Sequence, residues 1–183
     1  MATVDYTQRP ALTYQQLLDT DSHQVPDVLR WFSPMPPSEA DIPVERYTSA
    51  EFHQLEVEKV WTKVWQMACR EEDIPVVGDH TSYDIAVYWI LVVRSGPSEI
   101  KAFHNVCPHR GRLLKERPGR AGELRCAFHG FAWELNGCLK QVPCQWDFPR
   151  LVPEEWSLPE VQVGTWGGFV FINMDPDCDT LES

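Results

Sequence analysis

The chain has 183 residues, of which 43% are hydrophobic and 23% charged, the profile of one ordinary globular domain with room for an appendage rather than a disordered tail or a fibre. Sixteen Lys and Arg against 27 Asp and Glu give a net charge of −11, which argues against nucleic acid or an anionic membrane as the partner. The longest apolar runs, such as Ile90 to Val93, are far shorter than the roughly 20 residues of a membrane-spanning helix. Met1 to Asp5 has no basic stretch leading into an apolar one, so the expected compartment is the reducing cytoplasm. There the six cysteines (69, 107, 126, 138, 144 and 178) are better read as thiols or ligands than as three disulfides.

In chain order, residues 1–45 are rich in Pro and acids, with a helix-like patch at Tyr14 to Leu18. They read as an extension laid on another surface, because Pro34-Met-Pro-Pro37 can continue neither a helix nor a central strand. Thr48-Ser-Ala-Glu51 has the form of a capping box, and Val57, Val60, Trp61 and Val64 follow with helical spacing. Beyond Trp65 the pattern becomes strand-like. Ile85 to Arg94, the turn Ser95 to Ser98, and Glu99 to Phe103 predict one hairpin. Phe131 to Leu135 and Cys138 to Val142 predict a second, around an Asn136-Gly137 pair suited to a type I′ turn. Val161 to Trp166 and Phe169 to Met174, joined by Gly167-Gly168, predict a third. The fold class expected is mainly β: short antiparallel strands carrying two long loops.

Those loops hold the chemistry. Cys107-x-His109, sixteen residues, then Cys126-x-x-His129 places one thiolate and one imidazole on each loop, and no other cysteine has a histidine close behind it. Two Cys and two His admit structural zinc or a Rieske-type [2Fe-2S] centre, in which two His replace two Cys on one iron. Cys-x-His is tighter than the usual zinc knuckle, yet suits a loop whose Cys and His reach different irons.

His104-Asn-Val-Cys107-Pro-His109-Arg-Gly-Arg112 and Cys126-Ala-Phe-His129-Gly-Phe-Ala-Trp133 resemble the N-terminal Rieske domain of the α subunit of Rieske non-heme iron oxygenases, the aromatic-ring-hydroxylating family. The resemblance runs from about Arg46 to Asp175 and includes Tyr47 to Phe52, Glu58 to Trp65, and Gly168 to Met174. It implies a Rieske fold with a domain over 46–178, preceded by the 1–45 extension and followed by a 179–183 tail at the junction with a catalytic domain that this sequence does not include. It implies a [2Fe-2S] cluster, with Cys107 and Cys126 on one iron, His109 and His129 on the other, and no catalytic residue in this chain. With both His neutral, the oxidised cluster carries no net charge against −2 for four thiolates. This is why such centres lie at roughly −150 to +300 mV against about −400 mV. Where high-potential respiratory Rieske proteins have further cysteines and a serine, this chain has Arg112, Phe128 and Phe131, so the low end of that range is expected.

The family's mononuclear Fe(II), held by two His and a carboxylate, has no counterpart here: His23, His53, His80 and His104 form no such set, and His104 reads as a packed structural residue. The implied role is electron transfer from a ferredoxin or reductase to that iron in a neighbouring subunit of a homo-oligomer, commonly a trimer. The parent enzyme would hydroxylate an aromatic or other hydrophobic substrate with O2. A stand-alone Rieske ferredoxin is the competing reading. Six of the sixteen basic residues lie between Arg110 and Arg125, against Glu116 and Glu123, so the loop is basic in an acidic chain. It reads either as a solvated face or as a docking surface for an acidic donor.

Overall fold

A computed structural model describes residues 12–31 and 41–182. The chain divides into two compact units, Met1–Pro43 and Val44–Ser183. In the first, Thr13 caps helix α1 (Tyr14–Asp19) with a full capping box to Gln16, and Arg30 of α2 (Asp27–Arg30) pairs with Asp19 at 2.8 Å. The Pro34-Met-Pro-Pro37 run lies outside the described residues.

The second unit opens on α3 (Glu45–Thr48) and α4 (Ala50–Glu56). The cap of α4 is Ser49, whose hydroxyl accepts from the Phe52 amide, and not Thr48, whose hydroxyl donates to the Val44 carbonyl inside the preceding turn. The helix then widens into a π-helical turn, Val57–Trp61, in which the Thr62 amide reaches the Val57 carbonyl. That extra residue per turn breaks the expected apolar stripe: Val57 is buried, while Val60 and Val64 are exposed.

Ten strands follow: β1 (Gln66–Arg70), β2 (Asp79–Ile85), β3 (Tyr88–Gly96), β4 (Glu99–His104), β5 (Gly119–Arg120), β6 (Leu124–Arg125), β7 (Ala132–Trp133), β8 (Leu139–Gln141), β9 (Glu160–Trp166) and β10 (Phe169–Asn173). They form an antiparallel seven-stranded sheet, β1-β10-β9-β4-β3-β2-β5, and a small three-stranded sheet, β6-β7-β8. Tyr83 of β2 donates to Gln66 of β1, joining strands near opposite ends of the larger sheet. The chain is mainly β, as its pattern predicted, with two corrections in the hairpins. Ile85 belongs to β2 and not to β3, because Ala86 turns the chain with φ 52°. The second hairpin keeps only Gly137 at positive φ, 86°, so its turn is not type I′; the Gly137 amide closes it on the Glu134 carbonyl.

Strand β3 explains the packing. Ile90, Leu91, Val92 and Val93 are all fully buried, and they alternate between two cores. Ile90 and Val92 join Cys69, Ile74, Ala102, Val161, Val170 and Ile172 among the large sheet's own strands. Leu91 and Val93 join Phe103, Leu124 and Trp133, which ties the large sheet to the small one. A Cβ on Gly137 would sit 2.4 Å from the ring of buried Phe103 in that second core, at a backbone angle that disfavours any side chain. Gly137→Ala is therefore expected to cost about 1–3 kcal/mol of stability, read as a lowered urea midpoint.

Candidate metal centre

The first loop leaves β4 and the second joins β6 to β7, so each is anchored by a short strand of the core. Both fold by the same hydrogen-bond pattern. The Cys107 amide donates to the Arg112 carbonyl at 2.7 Å, and the Gly111 amide returns to the Cys107 carbonyl at 2.9 Å. In the second loop the Cys126 amide donates to the Phe131 carbonyl at 2.8 Å and the Gly130 amide to the Cys126 carbonyl at 3.1 Å. Gly111 and Gly130 supply the positive φ, 72° and 79°, that closes each loop. A common geometry thus places each cysteine at the base of its loop, with His109 two residues and His129 three residues further on.

The structure places the two predicted cysteines in one core and the two predicted histidine rings against each other. Cys107 and Cys126 are each 2% exposed and belong to the core shared by the two sheets. The Cys126 thiol acts on that of Cys107 as a near neighbour, and the His109 and His129 rings lie 4.8 Å apart between centroids. Burial pushes the Cys107 thiol up, while the amides of His109 and Arg110, directed at its sulfur, act in the opposite sense. Burial likewise holds the His109 imidazole below its usual range, reinforced by His129 and Arg110, and so favours the neutral form that can ligate a metal.

The donor set fits an iron–sulfur cluster. His109 Nδ1 is the one buried side-chain polar atom without a hydrogen-bond partner among the described residues, and it belongs to the loop that carries buried Cys107. An orphan of this kind is expensive unless a ligand satisfies it. Among the described residues no three His, Cys, Asp or Glu side chains gather around a single point, as a mononuclear ion would require. Two donors for each of two irons need no such convergence.

The two imidazoles differ in their surroundings. His109 stacks on buried Phe131 at 4.7 Å and meets the edge of Phe148 at 6.0 Å. His129 stacks at 3.8 Å on Phe128, which is 58% exposed. His104 ends β4 on the Tyr88 ring, 6.0 Å away, as a packed residue, and His53 faces Glu56 on an exposed helix surface.

Sequence reasoning passed over Asn105, 1% exposed, whose side chain bonds three times to the 114–115 backbone; the signal was an amide at the end of an apolar strand. It also missed Phe148, which lies far along the chain from His109. The basic stretch resolves into individual residues. Arg112 pairs with Glu116, Arg120 with Asp79 and Arg125 with Glu123, leaving Arg110 and Arg117 exposed without an ion pair among the described residues. Arg112, Lys115 and Arg117, with Glu116, line a cleft with Ala127 of the second loop, which brings net positive charge against that loop.

The Rieske [2Fe-2S] domain family matches residues 64–154. The α subunit of chlorobenzene dioxygenase from Cupriavidus sp. (strain PS12) is 34% identical over 75% of this chain and 31% of its own length. The oxygenase subunit of carnitine monooxygenase from Escherichia coli (strain K12) is 32% identical over 80% of this chain and 40% of its own. Among solved structures, a quaternary ammonium Rieske monooxygenase bound to L-carnitine superposes with a TM-score of 0.72 at 30% identity, covering 76% of this chain and 40% of that one. Naphthalene 1,2-dioxygenase with indole bound gives 0.68 at 29% identity, over 72% of this chain and 30% of that one. The chain thus spans between about three and four tenths of these relatives. With its paired loops and buried thiols, it belongs to the Rieske non-heme iron oxygenases and represents their N-terminal Rieske [2Fe-2S] domain.

Proposed function

We propose that Cys107, His109, Cys126 and His129 hold the [2Fe-2S] cluster and that the domain relays single electrons from a ferredoxin or reductase to a mononuclear non-heme iron. That iron would lie in the catalytic domain of a neighbouring subunit, in a homo-oligomer that hydroxylates an organic substrate with O2. The observation that carries the assignment is the unpartnered, buried Nδ1 of His109 on the loop of Cys107, whose thiol, like that of Cys126, is buried in the core shared by the two sheets. One solved relative is described in terms of inter-subunit electron transfer, which supports the relay across subunits. The relatives' names cover chlorobenzene, biphenyl, choline and carnitine, so the parent reaction is proposed as oxygenation of an organic substrate in that broad class.

When bound, the cluster supplies a one-electron store at a potential set by its mixed thiolate and imidazole ligands. The chain's own residues do the rest. The core around Cys107 and Cys126 excludes water from the sulfurs, and the His109 and Arg110 amides offer hydrogen bonds that stabilise a thiolate. Phe131 and Phe148 wall in His109, whereas His129 sits against an exposed ring and is the better placed of the two to meet a partner. Arg110 and Arg117, without an ion pair among the described residues, can steer an acidic donor towards this end of the molecule.

Protein isolated aerobically should show the visible absorption of an oxidised [2Fe-2S] centre and, after dithionite, its EPR signal. Bound zinc, which gives neither, would overturn the assignment. Cys107→Ser and Cys126→Ser should each abolish both signals, whereas Cys138→Ser should leave them unchanged. For docking, stopped-flow reduction by an acidic ferredoxin should slow as ionic strength rises. Arg110→Glu with Arg117→Glu should lower the second-order rate at low salt by about tenfold or more. A rate independent of salt and of both substitutions would remove the steering role.

A further inference from the structure

Each proposed ligand loop is held from outside its own backbone by one side chain placed just before its cysteine. Asn105, two residues ahead of Cys107, accepts at Oδ1 from the amides of Leu114 and Lys115, at 3.1 and 3.0 Å, and donates from Nδ2 to the Lys115 carbonyl at 2.6 Å. Its own amide donates to the Trp89 carbonyl of β3 at 2.7 Å. The side chain therefore acts as one more rung of β pairing for the far end of the first loop, while the backbone of the same residue anchors it to β3, the strand whose residues 90–93 serve both cores. Removing it would strand three polar groups of the loop backbone in a region where Leu114 is 6% exposed.

Arg125, immediately ahead of Cys126, does the equivalent for the second loop by a different chemistry. Its guanidinium donates from Nη1 to the Gly130 carbonyl at 2.8 Å, from Nη2 to Gln141 Oε1 at 3.0 Å, and from Nε to Glu123 Oε1 at 2.7 Å. Three acceptors in three directions use the planar fork of an arginine, which the single ammonium of a lysine cannot reproduce. Gly130 closes the loop that carries His129, and Glu123 is itself shared with Lys140, which also meets Glu134. The fork thus ties the turn of the loop to β6 and β8, the outer strands of the small sheet.

We infer that Asn105 and Arg125 are paired positioning residues that hold the two ligand loops, and with them the His109 and His129 rings, at the separation a cluster requires. The inference rests on the ligand assignment proposed above. The clamps are unequal. Asn105 is buried and neutral; the Arg125 side chain is 42% exposed and charge-assisted, so the second loop is the one whose geometry can be altered without dismantling the fold.

The test uses the 183-residue protein with its cluster and the variants Arg125→Gln, Arg125→Lys and Asn105→Asp. Each is examined by EPR of the reduced state, by reduction potential, by the rate of cluster loss to a chelator and by circular dichroism. Both Arg125 variants should keep the wild-type far-ultraviolet spectrum but show broadened or shifted EPR features. Both should also lose iron roughly fivefold faster, the factor equivalent to about 1 kcal/mol for one lost hydrogen bond. Asn105→Asp, which replaces the donor facing the Lys115 carbonyl with an acceptor, should do the same or more. If it fails to fold, the Arg125 pair decides. Wild-type spectra and chelator rates in both Arg125 variants would overturn the inference. So would a lysine variant that matches wild type while the glutamine variant does not, since charge and not the fork would then be the cause. A wild-type protein with no [2Fe-2S] signal would instead overturn the ligand assignment, and the clamps with it.

Discussion

The structure depends on placing two cysteine thiols inside the apolar core that joins its two sheets. Cys107 and Cys126 pack with Leu91, Val93, Phe103 and Trp133, so the proposed ligands are not carried on free surface loops. A thiol is small and apolar enough to be buried there, and it is also the softest metal ligand the chain has. The loops must leave the core, turn and re-enter it within a few residues, and the glycines at 111 and 130 are the means of that turn. Small strands β6 to β8 exist to present the second loop; each is only two or three residues long and borrows its stability from Trp133 and Leu124 in the shared core.

From that anchoring comes the difference between the histidines. The loops share a hydrogen-bond pattern, but one ring faces inward on Phe131 and Phe148 and the other faces an exposed phenylalanine. The cleft beside Ala127 of the second loop is lined by Arg112, Lys115 and Arg117 together with Glu116, a net positive surface. Against the acidic bulk of the chain this is a local reversal of sign.

Much of this was legible in the residues. Cys-x-His and Cys-x-x-His at their spacing named the four proposed ligands, and runs rich in β-branched and aromatic residues marked β3, β4, β9 and β10; in β3 the run is unbroken from Ile90 to Val93 because that stretch is buried on both faces. Other features were hidden for identifiable reasons. The π-helical turn after Glu56 follows from a backbone bond between Thr62 and Val57 that no periodicity announces. Ala86 takes a left-handed conformation without being Gly or Asn, so the boundary between β2 and β3 had no turn signal. The Asn136-Gly137 pair suggested the turn correctly but not its type, since packing against Phe103 selects the backbone there.

The sequence by itself determined the kind of chemistry available: two soft thiolates and two imidazoles in paired loops, in a mainly β domain with a basic segment between them. Only the tertiary structure decided which histidine is enclosed, which arginines are free, and that Asn105 and Arg125 reach across to hold the loops. The physical reason is that ligand identity is a property of residue type and spacing, which are local. Burial, ion pairing and the satisfaction of a polar side chain depend on neighbours brought in from elsewhere along the chain. Asp79 neutralising Arg120 and Phe148 walling in His109 are contacts of that second kind.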